Sequence, residues 1–330
     1  MTMRRREFIT LLGGAAAASP VPVGAQQQPI PVIGFLSTVA PEGFSDRLRG
    51  FREGLREAGY MEGYNVLIEY RWAENRLDRL PGLGADLVQR QVSVIVASGG
   101  TAGALAAKAL NTTIPVVFGI PEDPVGLGLV ASLSRPGGTM TGVNFFVGEV
   151  LAKRLELLRE VVPSAKRVAV FVNAGNATRA RLQVGQLEQA AVAMGLTTRI
   201  FETGTSQSIN AAFGKIADEG ADALFVSADP IFPTRRVQLA TMAAYHAIPS
   251  SFSVREIVDA GGLMSYGPNI IDAYRQMGIY AGRVIKGARP ADLPVLQSIK
   301  FELVINQQTA RMLRIVLPPS ILSIADEVIE

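Results

Sequence analysis

The stretch at 94–108, VIVASGGTAGALAAK, has residue types and a spacing that suit the binding of an anion. A β-branched run comes before Ser98, Gly99, Gly100 and Thr101, and an alanine-rich segment comes after them. This order predicts a strand, a turn and a helix. Unpaired N–H groups at a helix N-terminus favour an anion, glycine lets the backbone approach it, and the two hydroxyl groups add donors. The alternative is that a hydroxyl group of this turn caps its own helix.

The same stretch lacks the signature of a nucleotide phosphate site. A Walker motif has two glycines separated by four residues, followed by Lys and then Ser or Thr, and that pattern is absent here. A carboxylate is therefore the anion that we expect at this turn.

Other polar residues fall at or near the ends of predicted strands and are candidates for contact with the same ligand: Ser37, Thr38, Asp123, Asn144, Asn173, Asp229 and Tyr266. The hydroxyl groups among them offer donors to an anion, and Asp229 offers a carboxylate to a ligand ammonium group. Both aspartates precede a proline, so capping of the helix that follows is the alternative role for each. For the asparagines and the tyrosine, the alternative is an ordinary role in a turn or at a sheet edge.

Apolar side chains close to these positions are candidates for a hydrophobic wall of the site, with burial in the core as the alternative. They are Phe35, Phe145, Phe146 and Phe252.

The composition excludes several kinds of catalytic site. The chain has no cysteine, which rules out disulfides, thiolate nucleophiles and cysteine-ligated metal. Its single histidine, His246, lies at the end of an apolar helical segment and is interpreted as structural. Residues 126–131 imitate a dinucleotide fingerprint, but they follow Pro124 inside a predicted helix, so we interpret them as close helix packing. These features favour a binding protein without cofactor or metal over an enzyme.

Residues 1–25 have the features of an export signal. A basic cluster at 4–6 precedes an apolar stretch at 8–18, which is too short to span a bilayer. The segment RREFI resembles a twin-arginine signal, although its flanking residues depart from the usual pattern, so the export route stays open. Small residues before Gln26 predict cleavage near Ala25 and a mature chain in the periplasm.

The charge balance offers no reason to expect binding to nucleic acid. Residues 1–25 hold three of the 32 basic and one of the 29 acidic residues, so the mature chain is close to neutral. We therefore expect no nucleic acid partner, no attraction to an anionic membrane surface and no membrane insertion of the mature chain. A mature chain of this length usually forms two domains.

The elements that must position these residues alternate along the chain. Apolar strands and helical segments alternate up to about residue 145, and the pattern then begins again. In each half a strand leads to an Asp-Pro pair that is predicted to begin a helix, at 123–124 and at 229–230, the first of these helices running to Leu133. We predict an α/β protein of two similar lobes, each a parallel sheet flanked by helices, with a ligand cleft at the strand ends and closure at a hinge.

Several segments together resemble one protein family over essentially the whole chain. They are RRREFITLLGGAAAA, PVIGFLS, GYMEGYNVLIEYRWAE, SGGTAGALAAKAL, RPGGTMTGV and KRLELLRE. The chain resembles the exported substrate-binding proteins of ABC transporters, in the branch that includes tryptophan-type and tyrosine-type binders. The resemblance implies the type I periplasmic-binding-protein fold, with two Rossmann-like lobes, three crossovers between them and no catalysis. It assigns 26–145 plus about 267–295 to the first lobe, and 146–266 plus about 296–330 to the second, while the packing of the tail stays open.

The resemblance also implies roles for residues of the site. The ligand carboxylate maps onto Ser98 to Thr101, although many relatives have Gly-Thr directly after the strand, and Asp229 is the acidic partner for an ammonium group. The expected ligand is an amino acid or an aromatic acid, and the expected partner is an ABC transporter permease that a monomeric binding protein supplies. Two alternatives stay open: a ligand-sensing module for a membrane receptor and an exported α/β enzyme that uses a nucleotide.

Overall fold

A computed structural model of the chain describes residues 29–145, 150–297 and 301–330. The predicted signal peptide, its cleavage site and Phe146 lie outside these residues. The strands are β1 Val32–Ser37, β2 Leu67–Trp72, β3 Val94–Ser98, β4 Val116–Ile120, β5 Met140–Asn144, β6 Arg167–Asn173, β7 Thr197–Thr203, β8 Ala223–Val226, β9 Ser250–Phe252, β10 Met264–Pro268, β11 Leu296–Gln297, β12 Phe301–Asn306 and β13 Glu327–Ile329. The α-helices are α1 Ser45–Glu57, α2 Leu80–Gln89, α3 Thr101–Ala109, α4 Val150–Val161, α5 Ala177–Ala193, α6 Ser206–Glu219, α7 Ile231–Thr234, α8 Arg236–Tyr245, α9 Arg255–Asp259, α10 Ile270–Ile285, α11 Gln307–Met312 and α12 Pro319–Ile324.

The first sheet is parallel and is covered by helices. Its strand order is β11-β5-β4-β3-β1-β2, and every pairing within it is parallel. All residues of β3 and β4 are buried, as a parallel strand covered on both faces requires. The carboxyl ends of β1 and β3 lie side by side, because Ser37 is in register with Ser98.

The second sheet is built in the same way, but the tail of the chain adds an antiparallel pairing. Its strand order is β13-β12-β10-β9-β8-β6-β7, and β12 runs antiparallel to β10. Because β12 and β13 pair within this sheet, the tail packs on the second lobe, a point that the sequence leaves open.

The chain passes between the two sheets at three places: between β5 and α4, between β10 and α10, and between β11 and β12. The predicted fold class, two α/β lobes with mostly parallel sheets, is confirmed. One boundary differs from the expectation, since β11 pairs with β5 in the first sheet although the second lobe was expected to begin again at about residue 296. The apolar residue of this short strand, Leu296, is partly buried and packs against the hydrophobic core.

Helix α10 returns to the first lobe because glycines let it approach α1 closely. A Cβ atom added at Gly54 would lie 1.8 Å from the Arg275 carbonyl oxygen, and one at Gly278 would lie 2.1 Å from that of Phe51. Each helix therefore presents a glycine to the backbone of the other. This contact fixes the position of Tyr274, which lies on α10 and contributes to the site described below.

The two Asp-Pro pairs have different outcomes. The prediction of a helix from Asp123-Pro124 to Leu133 is wrong: residues 124–133 form turns and bends. The Asp123 carboxylate accepts hydrogen bonds from the N–H groups of Val125 and Gly126, at 2.9 and 3.0 Å, and Gly128 has a φ of 65°, so the turn closes on itself. The fingerprint-like residues 126–131 consequently lie in this turn and not in a helix. Asp229-Pro230, in contrast, leads into α7 and then α8.

Within the described ranges, the helices are too short or too polar to cross a membrane.

Candidate ligand-binding site

The two lobes line one cavity that is partly open to solvent. From the first lobe it is lined by Arg47, Gly99, Gly100, Phe145 and Tyr274, among others. From the second lobe it is lined by Arg179, Asp229, Pro230, Ser253 and Val254, among others. It therefore occupies the carboxyl ends of the strands of both sheets, where ligands of open α/β sheets bind.

Asp229 brings a buried carboxylate to the second lobe's side of the cavity. It follows β8, and only 8% of it is exposed. The side-chain amide of Asn173 donates to it at 2.9 Å, that of Asn176 at 3.2 Å, and the Ile231 N–H at 3.1 Å. Burial raises the pKa of Asp229, and the positive charge of Arg179 and these hydrogen bonds act in the opposite direction. The hydrogen bonds hold the carboxylate in place at the start of α7, and its negative charge makes it a candidate partner for a ligand cation.

The turn between β3 and α3 brings backbone to the opposite side of the cavity. Gly99 and Gly100 have φ angles of 80° and 96°, and a Cβ atom at Gly99 would lie 2.2 Å from the Thr38 hydroxyl oxygen. Gly100 is the N-cap of α3 and makes no side-chain cap, so this helix begins without the hydroxyl cap considered above. The Thr38 hydroxyl group instead donates to the Gly99 carbonyl at 2.8 Å, which holds the turn. The N-terminus of α3 and its dipole thus lie beside the cavity.

The side chain of Thr101 is hydrogen-bonded to a residue of its own lobe. Its hydroxyl group donates to the carboxylate of Glu122, and Arg179 of the second lobe donates to the same carboxylate. Arg179 also donates through Nε to the Ala228 carbonyl at 2.7 Å. Thr101 therefore belongs to a group of polar side chains that connects the two lobes beside the cavity.

The other serine and asparagine candidates lie at the strand ends, but they are not among the residues that line the cavity. The hydroxyl oxygens of Ser37 and Ser98 are buried without a hydrogen-bond partner among the described residues. Asn144 donates to the Glu122 carbonyl oxygen. Asn173 connects Asp229 to Asn75 of the first lobe, to which it donates at 3.3 Å.

Two of the candidates lie elsewhere. Asp123 is exposed and caps its turn, which is the alternative role that the sequence allowed. Tyr266 packs with Phe301 at a ring-centroid distance of 6.1 Å and belongs to the apolar cluster between the second sheet and α4. Neither is among the residues that line the cavity.

Much of the lining of the cavity is apolar. Phe145, Val254 and Ile270 contribute to it, together with prolines at 121, 230, 233 and 268. Of the other candidate phenylalanines, Phe35 and Phe252 are fully buried in the core. The wall suits an apolar ligand body with charged groups at its ends.

Arg47, Arg179 and Tyr274 are among the cavity residues that sequence reasoning missed. A signal existed for Arg47, which falls on the apolar stripe of α1 between Phe44 and Phe51, where the helical spacing calls for an apolar residue. For Arg179 and Tyr274 no local pattern marks the residue, because their positions depend on how α5 and α10 pack.

The described residues contain no cluster of His, Asp and Glu that could hold a metal ion. His246 stacks on Phe213 with ring centroids 5.8 Å apart, which fits a structural histidine. The residues that line the cavity offer ionic, hydrogen-bonding and apolar contacts to a bound molecule.

Comparisons with known proteins agree with this architecture. A tyrosine-binding protein of Clostridioides difficile (strain R20291) is 28% identical over 292 residues, which cover 85% of this chain and 80% of the relative. The crystal structure of an ABC domain in complex with L-Trp from Streptococcus pneumonia has a TM-score of 0.77 and 26% identity, covering 91% of this chain and 99% of its own. A conserved domain protein from Vibrio cholerae O1 biovar El Tor str. N16961 has a TM-score of 0.79 and 25% identity at the same coverage.

The sequence also matches a family model, described as ABC transporter substrate binding protein, over residues 32–329. That range takes in both sheets, the cavity between them and the tail. The chain therefore belongs to the ABC transporter substrate-binding protein family.

Proposed function

We propose that this protein binds a small α-amino acid with an apolar or aromatic side chain between its lobes and delivers it to an ABC permease. The observation that carries the proposal is that a buried carboxylate, Asp229, and an open helix N-terminus, at Gly99 and Gly100, line one cavity from opposite lobes. An amino acid has the complementary pair of charges. The apolar wall between the two ends gives its side chain a place.

The relatives support the same class of ligand. One is named for tyrosine binding, and another was solved with L-Trp. An aromatic acid without an amino group is the second ligand class that the turn before α3 would accept. It would have no ammonium group to pair with Asp229, and a buried carboxylate favours a ligand that supplies a cation in direct contact with it.

The proposal includes export and a role without catalysis. The basic and apolar segments of residues 1–25 support a cleaved export signal, ending near Ala25, and a periplasmic mature protein. The binding-protein family supports a partner permease. We propose that the mature chain acts as a monomer, because one chain contributes both halves of the cavity.

Calorimetric titration of refolded, ligand-free protein tests the ligand class. We expect binding of tyrosine, tryptophan or phenylalanine, and weaker binding of the same compounds without the amino group. Asp229→Asn should weaken the binding of amino acids by about tenfold or more, since a hydrogen bond between charged groups is lost.

Asp123→Asn is the matched control. It changes the other Asp-Pro pair, which is exposed and outside the cavity, and should leave affinity unchanged. Failure of the wild type to bind any amino acid or aromatic acid would overturn the proposed function. Equal effects of the two substitutions would remove Asp229 from the site.

A further inference from the structure

Arg47 is a buried cation at the first lobe's end of the cavity. It lies on α1, and only 6% of it is exposed. Its guanidinium carbon is 5.6 Å from the ring centroid of Phe44 and 5.9 Å from that of Tyr274. The two rings hold a planar cation by stacking and cation–π contact.

The surroundings of Arg47 connect it to the turn before α3. The Gly99 N–H donates to the Tyr274 hydroxyl oxygen at 3.4 Å, and Arg47, Gly99, Gly100 and Tyr274 line one cavity. A cation, a hydroxyl group and a helix N-terminus therefore gather on the side of the cavity that lies opposite Asp229. All three favour an anion.

The partner of Arg47 comes from the second lobe. Its Nε donates to the carboxylate of Glu256 at 3.1 Å, and both side chains are less than one-tenth exposed. A guanidinium group has five N–H donors, and this bond uses the one at Nε. The terminal nitrogens are the groups with which arginine binds a second carboxylate in a forked geometry.

Arg47 keeps its charge in this setting. Burial lowers its pKa, but the charge of Glu256 and the Tyr274 hydroxyl group together outweigh that effect and leave the pKa above its ordinary value. Glu256 offsets part of the positive charge of Arg47. The remaining attraction allows Arg47 to bind a ligand anion, and the negative charge of Glu256 weakens that attraction.

We propose that Arg47 binds the carboxylate of the ligand together with the turn before α3, and that Glu256 positions Arg47 and reduces its attraction for that carboxylate. This inference rests on the proposed function and adds a specificity-determining residue to it. The competing view is that the pair merely joins the lobes, in which case it contributes equally to the binding of every ligand that requires closure.

A ligand pair that differs only in the carboxylate separates the two views: L-tyrosine and L-tyrosinamide, measured by calorimetry. Arg47→Met should weaken the binding of L-tyrosine about 10- to 100-fold and change the affinity for L-tyrosinamide by less than about threefold. Glu256→Gln should increase the affinity for L-tyrosine relative to that for L-tyrosinamide by a few fold, because the competing negative charge is gone.

Arg52→Met is the matched control, because Arg52 lies on the same helix but pairs with Glu62 at the surface; the ratio of the two affinities should not change. If Arg47→Met does not fold, as judged by circular dichroism, then Arg47→Lys and Glu256→Gln provide the same ratio. An unchanged ratio in these variants, with the wild type binding L-tyrosine, overturns this inference alone. If the wild type binds neither L-tyrosine nor any other carboxylate, the proposed function fails and this inference fails with it.

Discussion

Asp229 is the residue whose ionisation should control ligand affinity. Burial raises its pKa above the ordinary value, and only the ionised form attracts an ammonium group. As pH falls through that raised pKa, affinity for an amino acid should therefore decline at a higher pH than for an ordinary aspartate, whose pKa is about 3.9. Calorimetry between about pH 7.5 and about pH 4 measures this decline.

The control for this pH dependence is a ligand without an amino group, such as 3-phenylpropionate. Its affinity should not fall while Asp229 takes up a proton, because it has no cation for that carboxylate; the comparison is made above about pH 5, where the ligand's own carboxyl group stays mostly ionised. A parallel fall for both ligands would locate the titrating group elsewhere.

At the residue scale, the chain segments that reach the site are easier to predict from the sequence than the individual side-chain contacts within it. The turn at Gly99 and Gly100 and the aspartate at 229 line one cavity, and both follow from the end of an apolar strand. Thr101 also lies at that turn but donates to Glu122, which no spacing in the sequence indicates. The roles in ligand binding remain predictions until the titrations are done.

The α1–α10 contact is the element-scale feature on which the first lobe's side of the site depends. Gly54→Ala would place a Cβ atom 1.8 Å from the Arg275 carbonyl oxygen, so the helices must separate. Overpacking of this kind costs about 3 kcal/mol, and the better helix propensity of alanine returns about 1 kcal/mol. We expect a net loss of about 2 kcal/mol in the free energy of unfolding, measured by urea denaturation.

Gly185→Ala is the matched control for that substitution. Gly185 lies in α5, is exposed, and a Cβ atom there would have no neighbour within 4 Å. Only helix propensity changes, so stability should rise by up to about 1 kcal/mol. A Gly54 variant as stable as the wild type would show that the two helices can separate without cost.

Element prediction succeeds where one local signal dominates. Helix α6, Ser206–Glu219, is such a case, because apolar residues at helical spacing coincide with a Thr205 cap and a Gly220 terminus. It fails at Asp123-Pro124, since the aspartate closes a turn onto glycine-rich chain instead of capping a helix. The strand at 296–297 is too short for any periodic pattern, so its sheet depends on tertiary packing.

Polar contacts cross between the lobes at several places in the molecule. Arg179 pairs with Glu122, Arg47 pairs with Glu256, and Asn173 donates to Asn75. Arg236 adds a contact remote from the ligand, as it donates to the Gly43 carbonyl at 2.9 Å. The partners are 57 to 209 residues apart. Sequence patterns within a single lobe therefore predict a cleft but not the residues that contact each other across it.

Arg236→Met should separate the energetics of closure from those of ligand contact. Arg236 does not line the cavity, so its loss should favour the open form without altering any contact to the ligand. Each ligand must then supply more binding free energy to bring the two lobes together. Dissociation constants for L-tyrosine and L-tyrosinamide should both rise by about tenfold, with their ratio unchanged, and small-angle scattering should show a larger radius of gyration without ligand.

The control is Arg199→Met, which removes a surface ion pair with Glu219 inside the second lobe and should alter neither affinity nor size. The ratio of the two affinities is the decisive quantity, because a closure residue leaves it constant whereas Arg47 is expected to change it. An Arg236 variant that alters the ratio would mean that closure also reshapes the cavity. One that alters nothing would mean that the remaining cross-lobe contacts suffice to hold the closed form.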